Sequence, residues 1–399
     1  MSDRTRPRSS DDRSAHASDP LWDLESMLRD VPASDLTTMA RSAGRALGAT
    51  DARILVADYG LTSLQELGDY GPTGARAAIE GTSAGLCFAR GSIVVASDEP
   101  TVWLPLAEGS ERLGVLELTH TDWSDEDAAL SEQVLRVLVL VLVSKRRYTD
   151  VLLRSRRAEP LSLAAEMQWD LLPPLTLTTA SVSVSGILEP AYEIGGDSFD
   201  FALNPGRLEF AIIDAVGRGM AAVLMSVTAI NSLRNARREG ASLETAFRDT
   251  DEVIDRQFGG GNFVTAQTGA LELATGELTW VNAGHPLPLL VRDGTYVGPL
   301  TCRPSLPLGL GGHLHELGSY RLHRGDRVLF YTDGVIETRD ADNQQFGIDR
   351  LADFLVRATL DGVSPAETVR RLSASIMNYE GADLNDDATL LLVEYHGPD

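Results

Sequence analysis

Apolar and polar positions along residues 21–145 predict a small domain of helices and short strands. Apolar residues recur at helical spacing in LWDLESML (residues 21–28) and LTTMARSAGRAL (residues 36–47). Short apolar runs bounded by polar turns predict strands in ARILVADYG, SIVVASDE, VWLPLAE and RLGVLELTH. Beyond them, Ser124 and the acidic residues after it are typical of a helix N-terminus, and the pattern predicts one helix from Asp125 to about Arg154.

This long predicted helix carries a stripe that is too apolar to face water, and a second helix or a second subunit should cover it. The stripe consists of Leu130, Val134, Val137, Leu138, Val141 and Leu142. It predicts a homodimer joined partly through the helix. The alternative is that the stripe packs inside its own domain.

The segment LAAEMQWDLLPP (residues 163–174) predicts a second, shorter helix that ends at its two prolines. Its apolar residues Leu163, Met167, Leu171 and Leu172 predict one buried face. Such a helix either acts as a switch that docks on the domain after it or is a passive linker, and the sequence leaves both open.

Beyond residue 175 the pattern changes to hairpins. Pairs of strand-like runs flank the turns at residues 204–206, 274–276 and 293–294. Amphipathic helices are predicted at Met220–Arg238, Leu243–Gln257 and Pro365–Tyr379. Hairpins with interspersed helices predict an α+β fold, a sandwich with two sheets inside and helices outside.

Four aspartates lie where predicted strands begin or end: Asp197, Asp214, Asp333 and Asp386. A single aspartate at such a position is most often a turn or cap residue. Four that converge at one sheet edge would repel one another, and oxygen ligands of this kind suit Mg²⁺ or Mn²⁺. A cluster of carboxylates without a nucleophile suggests a two-metal site that activates water.

Length and charge narrow the functional classes. A chain of 399 residues accommodates two domains, and its formal net charge of -23 disfavours nucleic acid and anionic membranes as partners. The two cysteines, Cys87 and Cys302, are too few for a disulfide framework. Residues 1–20 are polar and predict a disordered tail without an apolar signal segment, which favours a cytoplasmic protein.

The motifs GGDSFD, IIDAVGRG, FVTAQTGALELATGELTWVNAGHP, LFYTDGVIETRD and DDATLLLV occur in this order. Together they resemble the metal-dependent (PPM, type-2C-like) protein phosphatases, most closely the SpoIIE-like branch. The resemblance implies an α-β-β-α sandwich, two Mn²⁺ or Mg²⁺ ions, and catalytic metal ligands at Asp197, Asp214, Asp333 and Asp386. It also implies that the backbone carbonyl of Ala215 binds metal and that Asp214 bridges both ions.

Three further features of the sequence lie close to these motifs. Arg218 stands in GRG where many relatives have GHG, and it is either a phosphate contact or a solvated turn residue. His285 in NAGHP is interpreted as structural, without a role in proton transfer. The glycines at 259–261 lack the context of a P-loop and predict a mobile flap.

The segments EGTSAGLCFARGSIVVASD and VWLPLAEGSERLGVLEL resemble a GAF sensor domain. The alternative is a dimerisation domain that binds no ligand, and no ligand is identified. The predicted organisation is a tail at 1–20, a GAF-like domain at 21–145, a helical linker or switch at 146–175 and a phosphatase domain at 176–396.

The resemblance implies hydrolysis of phosphoserine or phosphothreonine on a protein. In this branch the usual substrate is an anti-sigma-factor antagonist of the STAS type, in a bacterial partner-switching pathway. The alternative function is a catalytically silent sensor or scaffold protein. A metal-dependent nuclease is disfavoured by the acidic charge.

Overall fold

The computed structural model describes residue 32 and residues 35–68, 71–192, 195–312, 316–380 and 386–398. The predicted tail at 1–20 and the predicted helix at 21–28 lie outside the described residues. The chain divides into two compact units, Met1–Glu108 with Arg112–Ala158, and Gly109–Glu111 with Glu159–Asp399. The predicted linker at 146–175 is therefore shared between the two units.

The first unit is built on a six-stranded sheet with the order β3-β2-β1-β6-β5-β4. Its strands are β1 (Asp51–Ala57), β2 (Ser63–Gly68), β3 (Gly71–Ala78), β4 (Val94–Val95), β5 (Thr101–Glu108) and β6 (Glu111–Thr119). Its helices are α1 (Leu36–Ala46), α2 (Ser83–Arg90), α3 (Asp125–Lys145) and α4 (Val151–Ser155). The helix at 36–47 and the four predicted strands are confirmed, whereas β2, β3 and α2 were not predicted.

The single long helix predicted from Asp125 to about Arg154 is wrong, although its start is right. Ser124 and Asp127 form a capping box in which each accepts a backbone N–H of the other. The helix α3 ends at Lys145, and a 3₁₀ turn at Arg146–Tyr148 follows it. Thr149 is extended, and its hydroxyl accepts the N–H of Val151 at 3.3 Å, a local bond that competes with helix continuation.

The apolar stripe of α3 is covered by its own unit. Val134 and Leu138 are fully buried, and Leu142 is nearly so. They belong to a hydrophobic cluster with residues of α1, β1, β5 and β6, and Leu130, Val137 and Val141 pack against it. The stripe therefore needs no second subunit, which removes the observation that motivated a homodimer.

The second unit contains two sheets. The first is a five-stranded sheet with the order β15-β12-β11-β10-β9, and the second is a six-stranded sheet with the order β14-β13-β16-β17-β8-β7. The strands are β7 (Thr176–Thr178), β8 (Val182–Glu189), β9 (Asp197–Asn204), β10 (Arg207–Ala215), β11 (Val264–Glu272), β12 (Glu277–Ala283), β13 (Leu289–Arg292), β14 (Thr295–Pro299), β15 (Gly318–Arg321), β16 (Arg327–Tyr331) and β17 (Ala388–Tyr395).

Helices cover the outer faces of both sheets. They are α5 (Leu163–Leu171), α6 (Met220–Arg238), α7 (Leu243–Phe258), α8 (Asp333–Glu337), α9 (Gly347–Leu360) and α10 (Pro365–Glu380). The helices α6 and α7 pack on the five-stranded sheet, and α9 and α10 on the six-stranded sheet. The sheets meet face to face, where the rings of Phe210 and Phe330 lie 4.6 Å apart. The predicted sandwich is thus present in this unit.

The three predicted hairpins and the three predicted helices of this half are confirmed within a residue or so of their bounds. The helix α9 was not predicted, although Leu351, Leu355 and Ala358 recur at helical spacing and are buried. Among the described residues, no helix is both long and apolar enough to cross a membrane.

Candidate metal centre

The hairpin of β9 and β10 brings two of the predicted site residues together. Asp197 begins β9 and Asp214 is the penultimate residue of β10. The two are direct cross-strand partners in the antiparallel register. Directly paired residues extend their side chains from the same face of a sheet, so the two carboxylates share one site.

The other two predicted site residues reach the same place from the second sheet. Asp333 begins α8, one residue after Thr332, which follows β16. Asp386 lies two residues before β17, the hydrogen-bonded neighbour of β16. Thr332 joins the sheets at this point, because its hydroxyl donates to Oδ2 of Asp197 at 2.7 Å.

Two glycines allow these segments to approach so closely. A Cβ atom at Gly196 would collide with the carbonyl oxygen of Ala215, and one at Gly334 would collide with the carbonyl oxygen of Asp387. The N–H of Ala215 donates to the carbonyl of Gly196 at 3.2 Å, which completes the first contact. The glycines in GGD and TDG are thus explained by close packing around the aspartates.

Burial and mutual repulsion shift the acidity of the cluster. Burial, then the charges of Asp214 and Asp387, hold the pKa of Asp197 well above its ordinary value. Burial, then the charges of Asp333, Asp386 and Asp387, raise the pKa of Asp214 to about 7. Carboxylates arranged in this way favour a bound cation, because it removes the repulsion that otherwise drives protonation.

Asp387 belongs to this cluster and was missed from the sequence. It is buried, and its Oδ2 accepts the N–H of Asp197 at 3.3 Å. Burial raises its pKa to about 6, although hydrogen bonds from the backbone of Asp197 and Gly195 oppose the shift. Asp386 is exposed instead, and its Oδ1 lies 3.7 Å from Nη2 of Arg218. The two adjacent aspartates in DDATLLLV were the signal in the sequence, but the sequence does not show which of them faces inwards.

The donor chemistry fits hard divalent cations, since the site offers carboxylate oxygens and the carbonyl of Ala215. In the described part of the chain, however, no three His, Cys, Asp or Glu side chains are placed so that they already enclose an ion. Asp197, Asp214, Asp333 and Asp386 therefore remain predicted ligands, which the fold gathers in one place.

His285 lies buried beside this end of the five-stranded sheet. Its Nδ1 is 2.8 Å from the hydroxyl of Thr265, and its backbone N–H donates to the side chain of Asn282 at 2.8 Å. Burial lowers the pKa of His285 to about 3, so the ring is neutral near neutral pH. This supports the interpretation of His285 as a structural residue.

The short helix α5 contacts the cluster, and its predicted buried face is partly right, because Leu171 is buried, Met167 and Leu172 are half-buried and Leu163 is exposed. Leu163 is 70% exposed, and the buried side chains are Ala164, Ala165, Gln168 and Leu171. Gln168 donates its side-chain N–H to the backbone carbonyl of Asp197. The helix therefore reaches the first candidate ligand through a buried amide.

Comparison with known proteins finds relatives of this part of the chain. A sequence model of the family described as Stage II sporulation protein E (SpoIIE) matches residues 204–396. Residues 204–396, a little under half of the chain, are thus similar to the SpoIIE family, which supports a protein serine/threonine phosphatase. The match includes Asp214, Asp333 and Asp386, whereas Asp197 lies just before it.

Two curated proteins resemble this chain over part of its length. "Phosphoserine phosphatase RsbU" of Bacillus subtilis is 22% identical over 243 residues, which are 58% of this chain and 69% of that protein. "Protein IcfG" of Synechocystis is 22% identical over 268 residues, which are 59% of this chain and 39% of that protein. This chain thus spans part of each relative's length.

Solved structures resemble this chain with low sequence identity. The RsbU and RsbW domains of Rv1364c from Mycobacterium tuberculosis are 27% identical with a TM-score of 0.45, covering 57% of this chain and 64% of that one. The SiaA-PP2C domain of Pseudomonas aeruginosa is 19% identical with a TM-score of 0.49, covering 58% of this chain and 94% of that one. These comparisons do not confirm the GAF resemblance, which stays a prediction.

Proposed function

We propose that the protein hydrolyses phosphoserine or phosphothreonine on a protein substrate and that this activity depends on two divalent cations, Mn²⁺ or Mg²⁺. The observation that carries the proposal is the pairing of Asp197 and Asp214 across one hairpin, at the point where Asp333 and Asp386 arrive from the other sheet. The SpoIIE-family match over residues 204–396 supports it.

The residues of the site have distinct roles in this proposal. Asp197, Asp214, Asp333, Asp386 and the carbonyl of Ala215 would hold the cations, with Asp214 between the two. When bound, such a pair neutralises the phosphate charge and activates the attacking water. Asp387 and Thr332 touch Asp197 and hold it in place, as shown by their hydrogen bonds of 3.3 and 2.7 Å.

We further propose that the substrate is a phosphorylated anti-sigma-factor antagonist of the STAS type in a partner-switching pathway. The similarity to the Bacillus subtilis protein named phosphoserine phosphatase RsbU supports a phosphatase role in such a pathway, and the choice of a STAS-type substrate follows from the sequence resemblance. Under the same proposal the protein is cytoplasmic, the first unit is a GAF-like sensor of an unidentified ligand, and two copies form a homodimer. Each of these is separately testable.

The experiment is a turnover assay of the full chain on a phosphorylated STAS-domain protein, with Mn²⁺, with Mg²⁺ and with chelator. Asp214→Asn removes one carboxylate of the cluster, whereas Asp249→Asn removes an exposed one on α7 as a matched control. We expect cation-dependent turnover by the wild type and the control, and none by Asp214→Asn. A folded wild type without turnover under any cation would favour the silent scaffold instead.

A further inference from the structure

Arg218 lies at the rim of the aspartate cluster. It follows β10 by three residues, in the loop that connects Asp214 to α6. Its side chain is 65% exposed, and Nη2 lies 3.7 Å from Oδ1 of Asp386. The guanidinium is thus held beside a candidate metal ligand while most of it still faces solvent.

The loop is hydrogen-bonded to the start of a neighbouring strand, although its tip is exposed. The N–H of Val216 donates to the carbonyl of Phe263 at 3.0 Å, which ties the loop to the start of β11. Gly217 and Gly219 flank Arg218 with φ angles of 96° and 71°, a backbone region that favours glycine. The arginine therefore projects from a loop that is tied at Val216 to the segment before β11.

A positively charged side chain at this rim favours the proposed reaction for an electrostatic reason. A phosphate monoester must approach a cluster of five aspartates on a chain with a net charge of -23. Bound divalent cations offset part of that repulsion, but the outer phosphate oxygens still need a partner. Arginine is suited to this, because its planar fork donates two parallel hydrogen bonds to a phosphate.

The existing pair with Asp386 does not prevent this role. An exposed ion pair at 3.7 Å contributes little stability, so the guanidinium leaves it at small cost. When Asp386 shares its charge with a divalent cation, its attraction for Arg218 weakens further. The side chain of Arg218 can then contact a phosphate group that approaches this loop.

We propose that Arg218 binds the phosphate group of the substrate, as a specificity residue of this chain, and exchanges its contact with Asp386 for one with the phosphate. The inference rests on the proposed phosphatase function and deepens it. The competing role is that Arg218 merely neutralises Asp386. That role predicts a change in cation affinity without a change in phosphate affinity.

The test compares the full-length wild type with Arg218→Ala, Arg218→Lys and the control Arg256→Ala, which removes an exposed arginine of α7. Binding of inorganic phosphate to the Mg²⁺-loaded proteins is measured by phosphorus NMR, and binding of Mg²⁺ by calorimetry. Turnover of the phosphoprotein gives KM and kcat separately. We expect Arg218→Ala to weaken phosphate binding and raise KM roughly tenfold, with partial recovery in Arg218→Lys and no change in the control.

The outcomes separate the two proposals. Unchanged phosphate affinity in Arg218→Ala overturns the role of Arg218, even where the wild type is an active phosphatase. A wild type that binds phosphate through Arg218 but does not turn over the phosphoprotein refutes the proposed function and leaves the phosphate contact in place. A shift in Mg²⁺ affinity alone identifies Arg218 as a partner of Asp386 and nothing more.

Discussion

The hydroxyl of Thr332 donates a hydrogen bond of 2.7 Å to Oδ2 of Asp197, across the boundary between the two sheets. The same hydroxyl accepts the N–H of Thr389 at 2.9 Å, and the N–H of Thr332 donates to the carbonyl of Thr389 at 3.1 Å. A residue that orients Asp197 is thus itself fixed by β17. The position of the first candidate ligand depends on both sheets being correctly paired.

Replacing Thr332 by valine keeps the shape and removes the hydroxyl. We expect Thr332→Val to weaken Mn²⁺ binding about tenfold, because groups that orient metal ligands typically contribute that much. The buried N–H of Thr389 also loses its partner, so we expect a loss of about 1–3 kcal/mol in unfolding free energy. Calorimetry and chemical denaturation measure the two effects. Thr332→Ser retains the hydroxyl and should stay close to wild type; equal Mn²⁺ affinity in all three proteins would refute the orienting role.

The raised pKa of Asp214 predicts that the stability of the cation-free protein depends on pH. Its pKa is raised from 3.8 to about 7 in the folded state, so the folded protein binds more protons than the unfolded one between these values. Where the folded state binds more protons, stability falls as pH rises. We therefore expect the chelated protein to lose stability from about pH 4 to about pH 7 and to regain it when Mn²⁺ is added.

The variant Asp214→Asn tests the same point. Without the charge at residue 214, we expect the chelated variant to exceed the wild type by about 2 kcal/mol in unfolding free energy near neutral pH, and by less as the pH falls. Thermal or urea unfolding across this range measures the difference. A variant that is less stable than the wild type at every pH would show that Asp214 is not repelled by its neighbours.

The sequence predicted the hairpins because their alternation and turns are local. The run SFDFALNPGRLEFAIID, with its turn at residues 204–206, contains nearly everything needed to pair β9 with β10 in register. That register places Asp197 opposite Asp214. The helix Met220–Arg238 was likewise predictable, since its apolar period of 3.6 residues is a property of the segment alone.

The errors came from features that depend on tertiary contacts. Asp386 and Asp387 are chemically identical neighbours, and it is Asp387 that turns inwards, where its Oδ2 accepts the N–H of Asp197. In α5 the buried side chains are Ala164, Ala165, Gln168 and Leu171, so of the four residues predicted to form the buried face only Leu171 is buried. A polar residue such as Gln168 on a buried face could not be predicted without knowing its partner.

The homodimer remains a prediction, although the apolar stripe that first suggested it is covered by its own unit. Leu140 on α3 is 69% exposed, on the side of the helix that does not enter the core of its unit. We expect Leu140→Asp to convert a dimer to a monomer if α3 forms the interface, because a charge there would be buried without a partner. Leu360→Asp is the control, since Leu360 on α9 of the other unit is 68% exposed. Light scattering at micromolar concentration measures the mass; a monomeric wild type rejects the dimer.

The last prediction concerns control of the site through α5. Gln168 is buried and donates to the carbonyl of Asp197, while Nη2 of Arg234 donates to the carbonyl of Leu171 at 2.6 Å and so holds the end of the helix. Because α5 is attached at both points, a movement of α5 also moves Asp197. Small displacements of catalytic groups have large effects on rate, so a change in the docking of α5 becomes a change in activity.

Two kinds of variant distinguish a switch from a passive linker. Gln168→Met keeps the size of the side chain and removes its donor, and we expect lower turnover and weaker Mn²⁺ binding, about tenfold. Met167→Asp and Leu171→Asp should act in the same direction by disturbing the packing of α5. Leu163→Gln, at an exposed position of the same helix, is the control and should match the wild type. If α5 transmits a signal from the first unit, deletion of residues 1–150 also changes turnover. Truncated and substituted proteins that fold and match the wild type in rate and Mn²⁺ affinity would instead identify α5 as a tether, because the contact between Gln168 and Asp197 would then have no effect on the site.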